Sequence, residues 1–124
     1  MKVKELMKKP IVIEKDLMLS DAAKIMVKYS INSIPVVKDE NLLGIITAHD
    51  LVKNFGEQKK ISEVMSTSIS SMNENDKIQD AIEIIQKKDV DIIPVLNAGG
   101  KLVGIIDTKD IVKKACDNED FFLD

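Results

Sequence analysis

Two stretches of about 60 residues in this 124-residue chain carry the same motifs in the same order, and that duplication narrows the available folds more than any other feature. Val3-Lys4-Glu5-Leu6-Met7 returns as Ile61-Ser62-Glu63-Val64-Met65, and Ser20-Asp21-Ala22-Ala23 as Gln79-Asp80-Ala81-Ile82. Ile34-Pro35-Val36-Val37 returns as Ile93-Pro94-Val95-Leu96. Gly44-Ile45-Ile46-Thr47-Ala48-His49-Asp50 returns as Gly104-Ile105-Ile106-Asp107-Thr108-Lys109-Asp110. The offset grows from 58 (Met7 to Met65) to 59 (Pro35 to Pro94) to 60 (Gly44 to Gly104), so two single-residue insertions separate the copies. The second falls in Asn97-Ala98-Gly99-Gly100, a turn sequence.

Each copy predicts the same elements. A short amphipathic helix carries Val3, Leu6 and Met7, or Ile61, Val64 and Met65. A β-branched run follows at Ile11-Val12-Ile13, matched more weakly by Ser68-Ile69-Ser70. Apolar residues at helical spacing come next: Leu19, Ala22, Ala23 and Met26, then Ile78, Ala81, Ile82 and Ile85. Two short strands flank a turn, 34–37 with 42–46 and 93–96 with 102–106, and a last helix starts near Thr47 or Asp107. The fold class is therefore α/β (α+β): two tandem β-α-β-β-α repeats, 1–60 and 61–114, followed by an acidic tail over 115–124. One such copy buries only a modest core, so the two sheets are expected to pack on each other about a pseudo-twofold axis.

Single residues exclude much chemistry. With one cysteine, Cys116, and one histidine, His49, neither an internal disulfide nor a Cys/His zinc cluster can form. No nucleophile or second acid is spaced to serve His49, so no catalytic residue is assigned and the chain is read as no enzyme. Every basic residue is lysine, so an anion would be met by ammonium groups, backbone N–H groups or a helix N-terminus. Residues 1–60 hold 11 Lys against 8 Asp/Glu and residues 61–124 hold 7 against 13, which gives no overall basic face for nucleic acid. Lys2, Lys4, Lys8 and Lys9 form a local exception, read as a solvated face. No apolar run is long enough to span a bilayer and the start lacks the pattern of a signal peptide, so a cytoplasmic protein without a membrane partner is expected. Cys116 reads as an inert or partly exposed thiol past the last helix, and Phe121-Phe122-Leu123 in the tail as either a frayed end or, the preferred reading, a segment that docks on a partner subunit.

The strand-to-helix junctions are the candidate sites. Thr47 and Asp50 read as a helix cap with its reciprocal partner, and Asp107 and Asp110 as the same device in the second copy. A carboxylate fixed there can also accept two O–H bonds from a vicinal diol, as acidic residues do for ribose, beside a helix N-terminus that favours anions. The glycine before each pair allows close backbone approach. Ile34-Pro35 and Ile93-Pro94 offer apolar walls, with the backbone just before them open to an adenine edge.

In this duplicated pattern of Ile-Pro-Val, turn and Gly-Ile-Ile-Thr/Asp-x-x-Asp, residues 1–114 resemble a pair of cystathionine-β-synthase (CBS) domains, a Bateman module. The resemblance implies two clefts between the repeats that bind an adenosine-containing regulatory ligand: AMP, ADP, ATP, S-adenosylmethionine or methylthioadenosine. It also implies a homodimer whose shape passes ligand occupancy to an effector protein in trans. By position, Asp50 and Asp110 resemble ribose ligands and Thr47 a ribose or phosphate contact. Asn32, Ser33, Ile34 and Pro35, with Asp91, Ile92, Ile93 and Pro94, resemble the base-contacting segments. Ile11 and Val12, with Ile69 and Ser70, resemble the opposite wall. Ile45 and Ile105 line the second strand, and His49 and Lys109 stand where a phosphate is faced. Asp107 in place of Thr47 sets two carboxylates beside any phosphate unless Lys109, or a lysine of the other copy, offsets them. The Thr47/Asp50 site is therefore expected to be the better one for a nucleotide, and the Asp107/Asp110 site to be empty or to take a neutral or cationic ligand. Two other readings stand beside this one: a dimerisation module with degenerate sites, or DNA/RNA binding through the lysine-rich first half.

Overall fold

The computed structural model describes residues 1–117, so the Phe121-Phe122-Leu123 triplet lies outside the described residues. Those residues form two compact units, one of Pro10–Ile69 and one of Met1–Lys9 together with the chain from Ser70 onward.

In the unit of Pro10–Ile69, α1 (Leu19–Tyr29) buries Leu19, Ala22 and Met26, the face its spacing predicts. It ends where Ser30 turns left-handed (φ 54) and the Ile31 N–H reaches the Met26 carbonyl. β1 (Ser33–Lys38) and β2 (Asn41–Thr47) pair antiparallel, from Ser33 opposite Thr47 to Lys38 opposite Asn41. Asp39 and Glu40 between them are both left-handed (φ 52 and 67), the two-residue hairpin turn whose twist matches that of its strands. α2 (Ala48–Lys53) and α3 (Ile61–Val64) complete the unit. Its core gathers Ile13, Leu19, Ala22, Met26, Ile34, Val36, Ile46 and Ile61.

The other unit repeats this plan with β3 (Met72–Asn73), α4 (Ile78–Lys87), β4 (Ile92–Leu96), β5 (Leu102–Asp107) and α5 (Thr108–Asp117). β4 pairs antiparallel with β5 and parallel with β3. The longer loop Asn97–Lys101, with Gly100 at φ 79, absorbs the second insertion. Cys116, placed past the last helix by the sequence, sits on α5 and is exposed.

Three expectations change. The expected opening helices are single turns, a 3-10 turn at Val3–Glu5 and α3. Of the run Ile11-Val12-Ile13 only Ile13 pairs: its N–H donates to the Pro35 carbonyl at 3.0 Å, and its carbonyl accepts from Val37 N–H at 2.9 Å. Its counterpart is Met72, opposite Val95, and not a residue of Ser68-Ile69-Ser70. Burial decides this, since Ile13 and Met72 are the residues whose side chains enter the cores.

The opening turns are exchanged between the copies. Val3, fully buried, packs in the core of the second unit; its N–H donates to Asp76 and the Ile78 N–H donates to Met1. The matched bonds in the first unit run from Ile61 N–H to Leu17 and from Leu19 N–H to Lys59. α3 is further tied by Asp16, which accepts from Ser62 N–H at 3.1 Å and Oγ at 2.7 Å. These bonds hold the Asp16 carboxyl below its ordinary pKa of 3.8. A depressed folded-state pKa stabilises fully above the unfolded value and fades as pH falls through the folded one. Wild type is therefore expected to melt above Asp16→Asn at pH 7, with the two midpoints converging well below pH 3.8, as thermal unfolding monitored by circular dichroism will show.

Candidate functional site

The site of the first copy grows from the end of the β1–β2 hairpin. Thr47 is the N-cap of α2, and its Oγ accepts from the Asp50 N–H at 3.2 Å. Asp50 Oδ2 accepts in return from Thr47 N–H and Oγ–H, both at 2.9 Å. One carboxylate oxygen thus takes both local donors, and Oδ1 has no partner among the described residues. The box is the expected cap, and it holds half a carboxylate in reserve at a part-exposed helix start.

Antiparallel bonding alternates between facing pairs. Ala48 N–H donates to Asn32 at 2.8 Å, so the Asn32 carbonyl ties down α2, and Asp91 does the same for Thr108 at 3.0 Å. By the alternation, the backbone groups of Ser33 and Ile92 turn away from the hairpin partner. Ser33 lies opposite Thr47 and Pro35 opposite Ile45; Ile92 lies opposite Asp107 and Pro94 opposite Ile105. Ile34 and Ile93, read as apolar walls, are wholly buried members of the two cores and act by fixing the strands. Ile11 is 37 % exposed, Val12 and Ile69 are part-buried, and Ser70 Oγ accepts from Lys88 Nζ at 2.7 Å. His49 and Lys109 are exposed on the first turns of α2 and α5.

The open side of each glycine is taken by the chain itself and not kept for a ligand. A Cβ on Gly44 would stand 2.6 Å from Met65 Sδ and 2.9 Å from the Ser66 carbonyl oxygen. On Gly104 it would stand 2.8 Å from Met7 Sδ and 3.2 Å from the Lys8 carbonyl oxygen. Ser66 exchanges both backbone bonds with Ile45 (2.9 and 3.0 Å), and Lys8 does so with Ile105 (2.9 and 3.0 Å).

The second copy's carboxylates are arranged differently from the expected cap. Asp107 Oδ1 accepts from Lys109 N–H at 2.9 Å, and a carboxylate has no hydroxyl to give Asp110 as Thr47 gives Asp50. Instead Lys8 Nζ sits 3.3 Å from Asp107 Oδ2 and 3.2 Å from Asp110 Oδ2. Partial burial pushes the Lys8 pKa down, and the hydrogen bonds and charges of Asp110 and Asp107 outweigh it, leaving the pKa raised. The sequence reading expected Lys109 or some lysine of the other copy to offset this pair, and Lys8, of the first copy, stands there. Its signal was present: Met7-Lys8 matches Met65-Ser66, so lysine stands in place of serine in the unit where aspartate replaces threonine.

Among the described residues no helix is long and apolar enough to cross a membrane, and no group of three or more His, Cys, Asp or Glu is placed to hold a metal ion.

The CBS domain model matches residues 3–57 and 61–117. Inosine-5'-monophosphate dehydrogenase of Aquifex aeolicus is 34 % identical over 119 residues, covering 89 % of this chain and 24 % of that protein. An uncharacterized protein of Methanocaldococcus jannaschii is 34 % identical over 96 residues, 77 % of this chain and 32 % of that one. The chain thus spans about a quarter to a third of these relatives. Among solved structures, the CBS domain pair of protein MJ0100 in complex with 5-methylthioadenosine and S-adenosyl-L-methionine superposes with a TM-score of 0.84. It is 28 % identical, over 94 % of this chain and 97 % of that one. CBSX2 in complex with AMP, at 22 % identity and a TM-score of 0.82 over 94 % and 96 %, has the same fold.

Proposed function

The chain belongs to the CBS-domain family, and from that premise we propose that it is a regulatory, non-catalytic module that binds an adenosine-containing ligand at the strand-to-helix junction of each copy. The observation that carries this reading is the carboxylate of Asp50, whose Oδ2 is consumed by its own cap while Oδ1 has no partner among the described residues. An acceptor held in that way suits a ribose diol, with the outward backbone of Ser33 beside it for a base edge. Asp110 and Ile92 stand at the matched places of the second copy. The ligands of the MJ0100 domain pair, methylthioadenosine and S-adenosylmethionine, support the same ligand class. Without arginine neither junction has a bidentate phosphate clamp, so the nucleoside part supplies the recognition. The Thr47/Asp50 junction is the better one for a phosphorylated ligand, and the Asp107/Asp110 junction for a neutral or cationic one.

Calorimetric titration with AMP, ATP, S-adenosylmethionine and methylthioadenosine tests the reading. Saturable binding to at least one is expected, and silence across the panel overturns it.

A second reading rests on exposed apolar residues at matched places of the last helices: Val52 (73 %) on α2 and Val112 (63 %) on α5, with Phe55 (89 %) just beyond α2. These suit a homodimer face, through which occupancy would reach a partner protein in the cytoplasm. Sedimentation of wild type against Val52→Asp/Val112→Asp checks it, the double variant being expected to run as monomer.

A further inference from the structure

The two junctions differ by a matched exchange of charge. The first has Thr47 and Ser66 where the second has Asp107 and Lys8. Ser66 and Lys8 hold the same backbone bridge to their hairpins, through Ile45 and Ile105. The substitutions are therefore made at the same two places in space, and one cancels the other. The exchanged pair is neutral in both junctions, Thr47 with Ser66 in the first and Asp107 with Lys8 in the second, beside the shared carboxylate of Asp50 or Asp110; Lys109 adds an exposed ammonium at the second.

We propose that Lys8 is the specificity-determining residue of the second junction: shared by Asp107 and Asp110, its ammonium sets the ligand charge that junction accepts. This deepens, and rests on, the adenosyl-binding reading. The contacts of 3.3 and 3.2 Å place the ammonium against both carboxylates at once, and its side chain is 50 % exposed, so it stays open to a ligand's charged end. Lys109, exposed on the first turn of α5, has its backbone N–H and not its ammonium on Asp107. Removing Lys8 leaves a carboxylate pair with a net charge of −2, which repels phosphate and attracts a sulfonium. One unit of charge at such a part-exposed site changes affinity by about fivefold per unit of ligand charge.

The test compares three adenosyl ligands by calorimetry: methylthioadenosine (neutral), S-adenosylmethionine (cationic) and AMP (anionic), with the first junction silenced throughout by Asp50→Asn. Lys8→Ser is expected to raise the affinity ratio of S-adenosylmethionine to methylthioadenosine about fivefold, and to lower that of AMP to methylthioadenosine by at least as much. Asp107→Thr should move both ratios the opposite way, and Lys8→Ser/Asp107→Thr should return both to within about twofold of the starting values. Lys8→Met, which keeps the apolar stem, should behave as Lys8→Ser does and so separates charge from packing. Unchanged ratios in Lys8→Ser with methylthioadenosine still bound overturn the role of Lys8 alone. Silence of all three ligands in every background, wild type included, overturns the adenosyl reading and this inference with it.

Discussion

Asp50→Asn is expected to leave the chain folded and to weaken adenosyl-ligand binding at the first junction about ten- to a hundredfold. The asparagine amide oxygen can replace Oδ2 and keep accepting from Thr47 N–H and Oγ–H, so the cap of α2 survives. Its Nδ2 then takes the place of Oδ1, and a donor meets the ribose hydroxyls where an acceptor stood. A lost charge-assisted hydrogen bond costs about 1.5–3 kcal/mol, which is the stated range of affinity. Calorimetry reads the binding and thermal unfolding reads the fold. Wild-type affinity in the variant would mean that Asp50 serves only its helix. Asp50→Ala lacks this discrimination because it removes cap and acceptor together.

Gly44→Ala and Gly104→Ala are expected to destabilise the chain by about 1–3 kcal/mol each, Gly44 at the upper end. A new methyl at Gly44 meets Met65 Sδ at 2.6 Å, its Cγ at 2.9 Å and a backbone oxygen, Ser66 O, at 2.9 Å. At Gly104 the side-chain clashes are similar, 2.8 and 3.0 Å with Met7, while the backbone oxygen of Lys8 stands back at 3.2 Å. The two sites should therefore answer differently to relief. Relative to the methionine variant alone, alanine at Gly104 should cost less in Met7→Ala than in wild type, the Lys8 oxygen at 3.2 Å having only a few tenths of an ångström to give. In Met65→Ala, alanine at Gly44 should still cost, because a backbone oxygen bridged to Ile45 cannot rotate away as a thioether can. Urea unfolding of the two double-mutant cycles reads this directly. Equal relief at both glycines would show that the backbone of Ser66 yields.

Local periodicity made most of the fold legible. The faces of α1 and α4, both hairpins and the Thr47/Asp50 cap follow from residues three or four apart, or from turn chemistry, and the structure has them at those residues. Non-local pairing was hidden. The first strand of the second copy is two residues long, and Met72 earns its place only through Val95, 23 positions on. Ser68-Ile69-Ser70 has the more strand-like centre but not the buried seat. Lys8 is the extreme case, since its hydrogen-bond partner Asp107 is 99 residues away. Its role follows only from comparing both copies at two positions together, because the change from threonine to aspartate makes sense beside the change from serine to lysine. The burial of Ile34 and Ile93 was hidden for the opposite reason: their strands are almost continuously apolar, so sequence alternation does not mark which face enters the core.

The exchange of opening turns also orders the chain's assembly in time. Residues 10–69 are contiguous, so a growing chain holds everything that unit needs once residue 69 has left the ribosome. Val3 is made before any residue of its seat, which is built from Met72, Ile78, Ala81, Ile93, Val95, Ile106 and Ile111. The first nine residues must therefore wait, with Val3 and Met7 in water, while more than a hundred further residues are synthesised. Lysines at 2, 4, 8 and 9 put four positive charges on that segment, and the charge of Lys8 meets Asp107 and Asp110 only once the second unit is built.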